Sequence, residues 1–199
     1  MKKQSSKENK FYKFPKTPHL EGSDIVDDDE IINFSQLKFN KTNKIIAQEK
    51  VDGANVSVHF LNESNKYNPI VQKRSGLIEQ KGEHEQYEQF RKWVMSNIET
   101  LWEILGDQYV LFGEWLYCFH AVKYDQLPDF FLAFDLFDKA KSKWKSFQFL
   151  KDKLGDQICT VPLLWSGSCE SNQLKDALKD LIKLSKFSST ETSEGFFLK

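Results

Sequence analysis

Residues 44–60 have the sequence KIIAQEKVDGANVSVHF, which joins an apolar run, a turn and an alternating segment. The run from Lys44 to Glu49 predicts a strand, and the pair Asp52-Gly53 is typical of a turn. After the turn, apolar residues alternate with polar ones, which is the period of a half-buried strand: Val56, Val58 and Phe60. The stretch therefore predicts a hairpin or a strand–turn–strand unit, with Lys50 at the end of its first strand.

The rest of the chain predicts an α+β fold. Apolar residues recur every three or four positions from Glu83 to Leu105, and Gly106 follows them, so one long helix is expected there. A second amphipathic helix is expected over residues 171–185. Further strands are predicted at Tyr109–Phe119, Phe130–Phe137 and Glu194–Lys199. This pattern favours antiparallel or mixed sheets flanked by two or three helices.

Composition narrows the class of protein. The 199 residues are 40% hydrophobic and 29% charged, which indicates a globular chain long enough to bury a core. The net charge of −1 argues against a generally basic nucleic-acid binder. Three scattered cysteines suggest neither a disulfide framework nor a zinc knuckle. We find no secretory signal and no apolar run long enough for a membrane span, so we expect a cytoplasmic or nuclear protein.

Charge patterning suggests a division of the chain into an arm and one domain. Residues 1–18 carry six lysines and one glutamate, which predicts a basic, extended arm before a domain at 19–199. Residues 21–30 hold six acidic side chains without a repeated ligand spacing, so we interpret them as a solvated loop. A second basic segment, 139–153, has six lysines and one aspartate. It fits either a local basic groove for nucleic acid or a solvated face.

Four side chains have chemistry of interest, although each also has an ordinary explanation. A nucleophilic lysine must be neutral, so Lys50 would need desolvation or a neighbouring positive charge, whereas a solvated lysine would not. The guanidinium of Arg74 suits a phosphate but also a plain surface. Glu114 lies in an apolar strand, where ribose hydroxyls or solvent would satisfy it. Phe134 could stack on a base or belong to the core.

The order of the motifs is more informative than any one of them. Lys-x-Asp-Gly, an arginine-bearing strand end, Gly-Glu, Phe-Asp and Glu-Gly-x-x-x-Lys follow one another along the chain. This series resembles that of the covalent nucleotidyltransferases, which comprise DNA ligases, RNA ligases and mRNA capping guanylyltransferases. The segments FPKTPHL (14–20), GEWLY (113–117) and YDQLPDFF (124–131) resemble the RNA ligase branch. The chain thus resembles an ATP-dependent RNA ligase catalytic domain over residues 11–199, which implies a nucleotidyltransferase (adenylation) fold.

The resemblance implies roles for three residues at the two ends of the series. Lys50 corresponds to the nucleophile that attacks the α-phosphate of ATP and becomes lysyl-AMP. Glu49 corresponds to the position that reads the adenine edge, and an acceptor-only carboxylate suits the N6 amino group of adenine better than the O6 of guanine. Glu194 corresponds to a carboxylate that acts near the metal-bound water. The implied cofactors are ATP and Mg²⁺, since phosphoryl transfer needs charge neutralised on the departing oxygens.

The middle motifs imply contacts with the nucleoside and the RNA end. Arg74 corresponds to the arginine that contacts the ribose and the terminal phosphate of the substrate, and Glu114 to the carboxylate that holds the ribose. Phe134 corresponds to the aromatic residue that stacks on adenine, and it is preferred to Phe131 because Asp135 follows it. The implied partner is RNA with 5′-phosphate and 3′-hydroxyl ends.

One departure from the family pattern keeps alternatives open. The pattern continues into a strand with a Lys-x-Lys pair that grips the phosphates, whereas this sequence stops at Lys199. We therefore expect either a truncated chain or impaired ligation. The alternatives are a DNA ligase or capping guanylyltransferase of the same fold, or a nucleotide- or RNA-binding protein without catalysis.

Overall fold

The computed structural model describes residues 11–23, 30–37, 39, 42–61, 68–79, 82–169, 171–181 and 183–199. The strands are β1 His19–Leu20, β2 Ile31–Ile32, β3 Ile45–Lys50, β4 Ala54–Phe60, β5 Pro69–Lys73, β6 Gly76–Leu77, β7 Tyr109–Trp115, β8 Phe131–Asp138, β9 Lys143–Trp144, β10 Leu163–Gly167 and β11 Gly195–Leu198. The helices are α1 Glu85–Ser96, α2 Ile98–Leu105, α3 Phe147–Leu154 and α4 Ser171–Leu178, with one 3-10 turn at Phe34–Gln36. The predicted α+β class, with mainly antiparallel sheets and flanking helices, is confirmed.

The described residues form two compact units. The first unit contains the described residues of 11–14, 53–119 and 129–160, and the second contains those of 15–52, 120–128 and 161–199. β3 belongs to a three-stranded sheet and β4 to a six-stranded one, and the two strands do not pair. The hairpin prediction is therefore wrong, and the strand–turn–strand alternative is confirmed. The boundary between an arm at 1–18 and a domain at 19–199 stays a prediction.

The first unit is built on a six-stranded sheet in the order β6-β5-β4-β7-β8-β9. One face of this sheet packs on α1 and α2 through aromatic side chains. Phe90 of α1 lies 5.4 Å from Trp115 and 5.7 Å from Phe131, measured between ring centroids. Phe60 of β4 meets Trp102 of α2 edge-on at 5.2 Å. These contacts bury the apolar face that the alternating sequence of β4 predicted.

The opposite face of β4 is also buried, so the prediction of a half-buried strand is wrong. Ser57 and His59 are 2% and 0% exposed. The reason lies in the segment 11–14, which packs over them. The ring of Tyr12 meets His59 edge-on at 5.1 Å. Its backbone exchanges two hydrogen bonds with the side-chain amide of Gln72, at 2.9 and 3.0 Å. Residues distant in sequence thus cover a face that would otherwise be solvated.

Both helix predictions need correction. The single helix expected between Glu83 and Leu105 is two helices, because Asn97 leaves helical geometry at φ −109° and ψ 17°. Its side-chain amide donates to the carbonyl of Trp93 at 2.9 Å, and the same carbonyl accepts the backbone N–H of Asn97 at 3.1 Å. The predicted stop at Gly106 is confirmed, with φ +50°. The helix expected to continue to residue 185 ends at Leu178. Four α-helices are described, where two or three were predicted.

In the second unit, β3 is the central strand of the order β10-β3-β11 and is antiparallel to both neighbours. Ile45 and Ala47 of β3 pack against Leu174 and Leu178 of α4 in a small core. β1 and β2 form a separate parallel pair. A central strand has hydrogen-bonded neighbours on both sides, so the position of Lys50 at its end is well defined.

Part of the second basic segment contacts the protein itself. Lys139 donates to the carbonyl of Phe60 at 2.6 Å, and Lys145 lies 4.1 Å from the centre of the Phe149 ring. These lysines are therefore engaged within the first unit. Residues 24–29 of the acidic segment 21–30 and the first ten residues of the basic arm lie outside the described residues. No described helix is long and apolar enough to cross a bilayer.

Candidate active site

Strand pairing joins the first and last motifs of the series. β11 lies beside β3 with Gly195 opposite Lys50, so Glu194 directly precedes the paired residue. Lys50 Nζ forms an ion pair with Glu194 Oε1 across 144 positions of sequence. The two side chains are 34% and 32% exposed. The contact places a lysine and a carboxylate at one partly open strand end.

The surroundings of Lys50 differ from the expected desolvation or neighbouring positive charge. Its side chain is one-third exposed and meets the carboxylate of Glu194. An oxygen ligand that is open to solvent suits Mg²⁺, which binds through one or two carboxylates together with substrate phosphates and water. Within the described ranges, no group of three or more His, Cys, Asp or Glu side chains could hold a metal.

Glu49 faces the interior of the second unit and is only 1% exposed. The hydroxyl of Ser185 donates to its Oε1, and the backbone N–H of Lys186 donates to its Oε2 at 3.1 Å. A carboxylate offers about four lone-pair positions, so about two remain. Glu49 also lines a cavity of about 240 Å³. Its other walls combine four leucines with a serine and three charged residues: Leu163, Leu164, Leu181, Leu184, Ser193, Asp180, Lys183 and Lys186.

Asp52 of the Lys-x-Asp-Gly motif organises the loop 120–128. Its carboxylate accepts the backbone N–H groups of Ala121 at 2.5 Å and Val122 at 3.1 Å. Its own N–H donates to the hydroxyl oxygen of Tyr124 at 2.7 Å. Burial raises the pKa of Tyr124 well above its usual value, and the nearby carboxylate of Asp52 adds to this effect. The phenol therefore stays neutral, and the loop is fastened beside the end of β3.

The same loop also connects to the chain near Ser185. The backbone N–H groups of Asp125 and Gln126 donate to the carbonyl of Phe187, at 3.1 and 3.0 Å. The carboxylate of Asp125 accepts the N–H of Ser189 at 2.8 Å. Sequence reasoning assigned no role to these residues, although Tyr124 and Asp125 belong to the segment that resembles RNA ligases. No local sequence pattern indicated a role for Ser185, because its contact with Glu49 spans 136 positions of sequence.

In the first unit, two glycines allow close packing around Glu114, which is half-buried on β7. A Cβ atom on Gly53 would lie 2.6 Å from a methyl carbon of Leu116. A Cβ atom on Gly113 would lie 2.3 Å from the ring of Phe131. Real Cβ atoms do not approach neighbours this closely, so larger residues would displace the strand that carries Glu114.

The two candidate aromatic residues of β8 have different surroundings. Phe131 is 0% exposed and lies 4.7 Å from Trp93, so it belongs to the core. Phe134 is half-buried and lies where the pairing of β7 with β8 changes register. Its ring meets Phe14 edge-on at 5.2 Å. The two residues thus differ in burial, and the choice of Phe134 over Phe131 for stacking on a base stays a prediction.

The six predicted residues divide between the units: Glu49, Lys50 and Glu194 in the second, and Arg74, Glu114 and Phe134 in the first. Lys50 and Glu194 are in direct contact, and Glu49 is adjacent to Lys50 in β3. Arg74 is exposed in the turn between β5 and β6. Their roles in binding a nucleotide stay predictions.

Comparison with known proteins gives a family and a fold. A family model for RNA ligase matches residues 43–199. The structure resembles that of a mutant of Naegleria gruberi RNA ligase with ATP and Mn. The two chains are 20% identical, the TM-score is 0.59, and the match covers 80% of this chain and 46% of that one. The form with PPi matches at 19% identity, TM-score 0.58, and the same 80% of this chain with 47% of that one. This chain thus spans about half the length of these structures. No match was found among curated protein sequences.

Proposed function

The chain belongs to the RNA ligase family, and on this premise we propose that it is the adenylyltransferase part of an ATP-dependent RNA ligase. Its substrates are ATP and RNA with 5′-phosphate and 3′-hydroxyl ends. The observation that carries this proposal is the contact between Lys50 and Glu194 at the end of β3. It joins two residues from the first and last motifs of the series.

Lys50 is the proposed nucleophile. The amine, which is ion-paired with Glu194 in the structure, must first lose a proton to solvent to become a nucleophile. The neutral amine then attacks the α-phosphorus of ATP, a P–N bond forms, and the bond to the β-phosphate oxygen breaks as pyrophosphate leaves. The amine releases a second proton to solvent in this step. A lysine at a strand end has a flexible stem but a fixed Cα, which limits the positions its Nζ can take. Glu194 is in contact with this amine in the structure and is the proposed carboxylate ligand for a divalent cation. Mg²⁺, when bound, would neutralise charge on the phosphate oxygens.

The remaining residues are proposed to bind the nucleotide. Glu49 accepts from the N6 amino group of adenine, and its position on the wall of the 240 Å³ cavity supports this role. Glu114 holds the ribose, Phe134 stacks on the base, and Arg74 contacts the ribose and the terminal phosphate of the RNA. The exposure of Arg74 supports its role, whereas Phe134 is only half-buried, with Phe14 edge-on to its ring.

Two further steps complete the proposed reaction. The AMP group moves from Lys50 to the 5′-phosphate of RNA, which forms a pyrophosphate linkage and frees the amine. A 3′-hydroxyl then attacks the phosphorus that came from the RNA, a phosphodiester bond forms, and AMP leaves. Of the family's possible substrates, RNA is supported by the match over residues 43–199.

The first step is tested by incubating the chain with ATP and MgCl₂ and measuring its intact mass. We expect a mass increase of one AMP, with loss of the adduct in Lys50→Ala. Lys44→Ala is the matched control, because Lys44 is exposed just before the same strand. An adduct that persists in Lys50→Ala would refute the assignment of the nucleophile. A chain that binds ATP without forming an adduct would instead be a nucleotide-binding protein.

The substrate is tested separately by sealing assays on nicked duplexes. The adenylated chain should seal RNA nicks in preference to DNA nicks. It should also accept ATP rather than GTP as the nucleotide donor. Equal sealing of DNA would favour a DNA ligase, and labelling by GTP alone would favour a capping guanylyltransferase.

A further inference from the structure

Ser185 is held in one orientation from several directions. It is 4% exposed, and its backbone N–H donates to the carbonyl of Glu191 at 2.9 Å. Its hydroxyl oxygen accepts the N–H of Phe187 at 3.2 Å. Because that bond occupies an oxygen lone pair, the hydroxyl hydrogen remains available for Glu49 Oε1, with which it forms a short contact.

The segment that carries the hydroxyl is hydrogen-bonded to the chain at 191–193. The neighbouring residue Leu184 forms a β-bridge with Thr192. On the far side of the bridge, the N–H of Ser193 donates to the carbonyl of Lys183 at 2.9 Å. The Ser185 hydroxyl and the Lys186 N–H therefore approach the Glu49 carboxylate from a backbone that is held by these two contacts.

We propose that Ser185 is a positioning residue: its hydroxyl fixes the carboxylate of Glu49 and thereby sets the preference for ATP over GTP. The inference rests on the proposed function, in which Glu49 reads the N6 amino group of adenine. Ser185 itself does not touch the nucleotide in this proposal. It acts only through the orientation of Glu49.

The argument is one of preorganisation. A carboxylate with one donor on each oxygen cannot rotate without losing a hydrogen bond in a buried environment. Its remaining lone pairs then face a fixed direction, where the amino group of adenine is attracted and the O6 of guanine is repelled. Without the hydroxyl, only the N–H of Lys186 still holds the carboxylate, so the carboxylate can turn about that bond and is less well fixed towards adenine. Selectivity therefore falls, whereas a general loss of structure would weaken both nucleotides equally.

The test compares the affinities for ATP and GTP by competition binding to the full chain with MgCl₂. We expect Ser185→Ala to reduce the ratio of the dissociation constant for GTP to that for ATP about tenfold, since the hydrogen bond from Ser185 to the charged carboxylate of Glu49 is lost. Ser188→Ala is the matched control. Ser188 is 3% exposed and its hydroxyl accepts N–H groups of Thr190 and Glu191 within the same loop. An equal ratio in Ser185→Ala and Ser188→Ala would overturn the inference.

Two further measurements separate this inference from the proposed function. In a Glu49→Gln background, Ser185→Ala should change the ratio no further, because both substitutions act through one group; an additive change would overturn the inference. A chain that binds neither nucleotide would refute the proposed function. Hydrogen exchange of the Lys186 amide then decides the positioning role alone. Faster exchange in Ser185→Ala than in Ser188→Ala supports it, and equal exchange refutes it.

Discussion

His59 should make the stability of this protein fall as the solution becomes acidic. It lies on β4, is 0% exposed and meets Tyr12 edge-on. Neither ring nitrogen has a hydrogen-bond partner within the described part of the chain. Burial, together with the positive charge of Lys139, lowers the pKa of His59 from 6.5 to about 3. The folded protein therefore keeps a neutral imidazole at pH values where the unfolded chain binds a proton.

The sign and size of the effect follow from these two pKa values. Above pH 6.5 both states are neutral at His59, and the free energy of unfolding does not depend on this group. Between pH 6.5 and about 3 the unfolded state binds more protons, so stability is lost as the pH falls. Each pH unit is worth about 1.4 kcal/mol, which gives a loss of about 2 kcal/mol between pH 7 and pH 5.

Urea denaturation at pH 7 and pH 5 measures this loss. We expect His59→Phe to lose about 2 kcal/mol less than the unmodified protein between these pH values, because the titrating group is gone. At pH 7 the variant should be no less stable, since two unpartnered ring nitrogens leave the interior. His120→Phe, at an exposed histidine, should behave like the unmodified protein. The same acid loss in His59→Phe as in the unmodified protein would refute the reasoning.

Two predictions concern the candidate site. Phe134→Ala should weaken ATP binding by about 1–3 kcal/mol with a small change in the melting temperature, because a half-buried stacking surface is lost. Phe131→Ala, in the core, should instead reduce stability by about 3–5 kcal/mol. Melting curves with and without ATP distinguish the two outcomes, and a large loss of stability in Phe134→Ala with unchanged ATP affinity would reject its role in binding. Tyr124→Phe should slow formation of the Lys50 adduct and lower the melting temperature, because the N–H of Asp52 loses its acceptor. Tyr117→Phe, at an exposed tyrosine, is the control, and equal adduct rates in both variants would contradict this role for Tyr124.

Local patterns in the sequence were enough to predict the class of fold and the position of Lys50 at the end of a strand. Two strands were predicted within one residue of their observed limits. The prediction used the apolar run before Lys50, the Asp52-Gly53 turn and the alternation after that turn. Gly106 ended α2 as predicted, because a glycine adopts φ +50° without strain. These features depend on neighbouring residues, so periodicity and turn chemistry reveal them. The break at Asn97 was missed, because its backbone leaves helical geometry while the apolar period continues through it.

Tertiary structure alone decided which groups meet. The sequence placed Lys50 and Glu194 in one motif series, but their contact depends on the pairing of β11 with β3. The bonds from Ser185 and Lys186 to Glu49 cross about the same length of chain, and neither leaves a local pattern. The burial of His59 was likewise invisible, because it depends on a segment 47 positions earlier, at Tyr12, packing over β4. Hydrogen bonds and burial between distant segments follow from the path of the whole chain, which composition and periodicity do not encode.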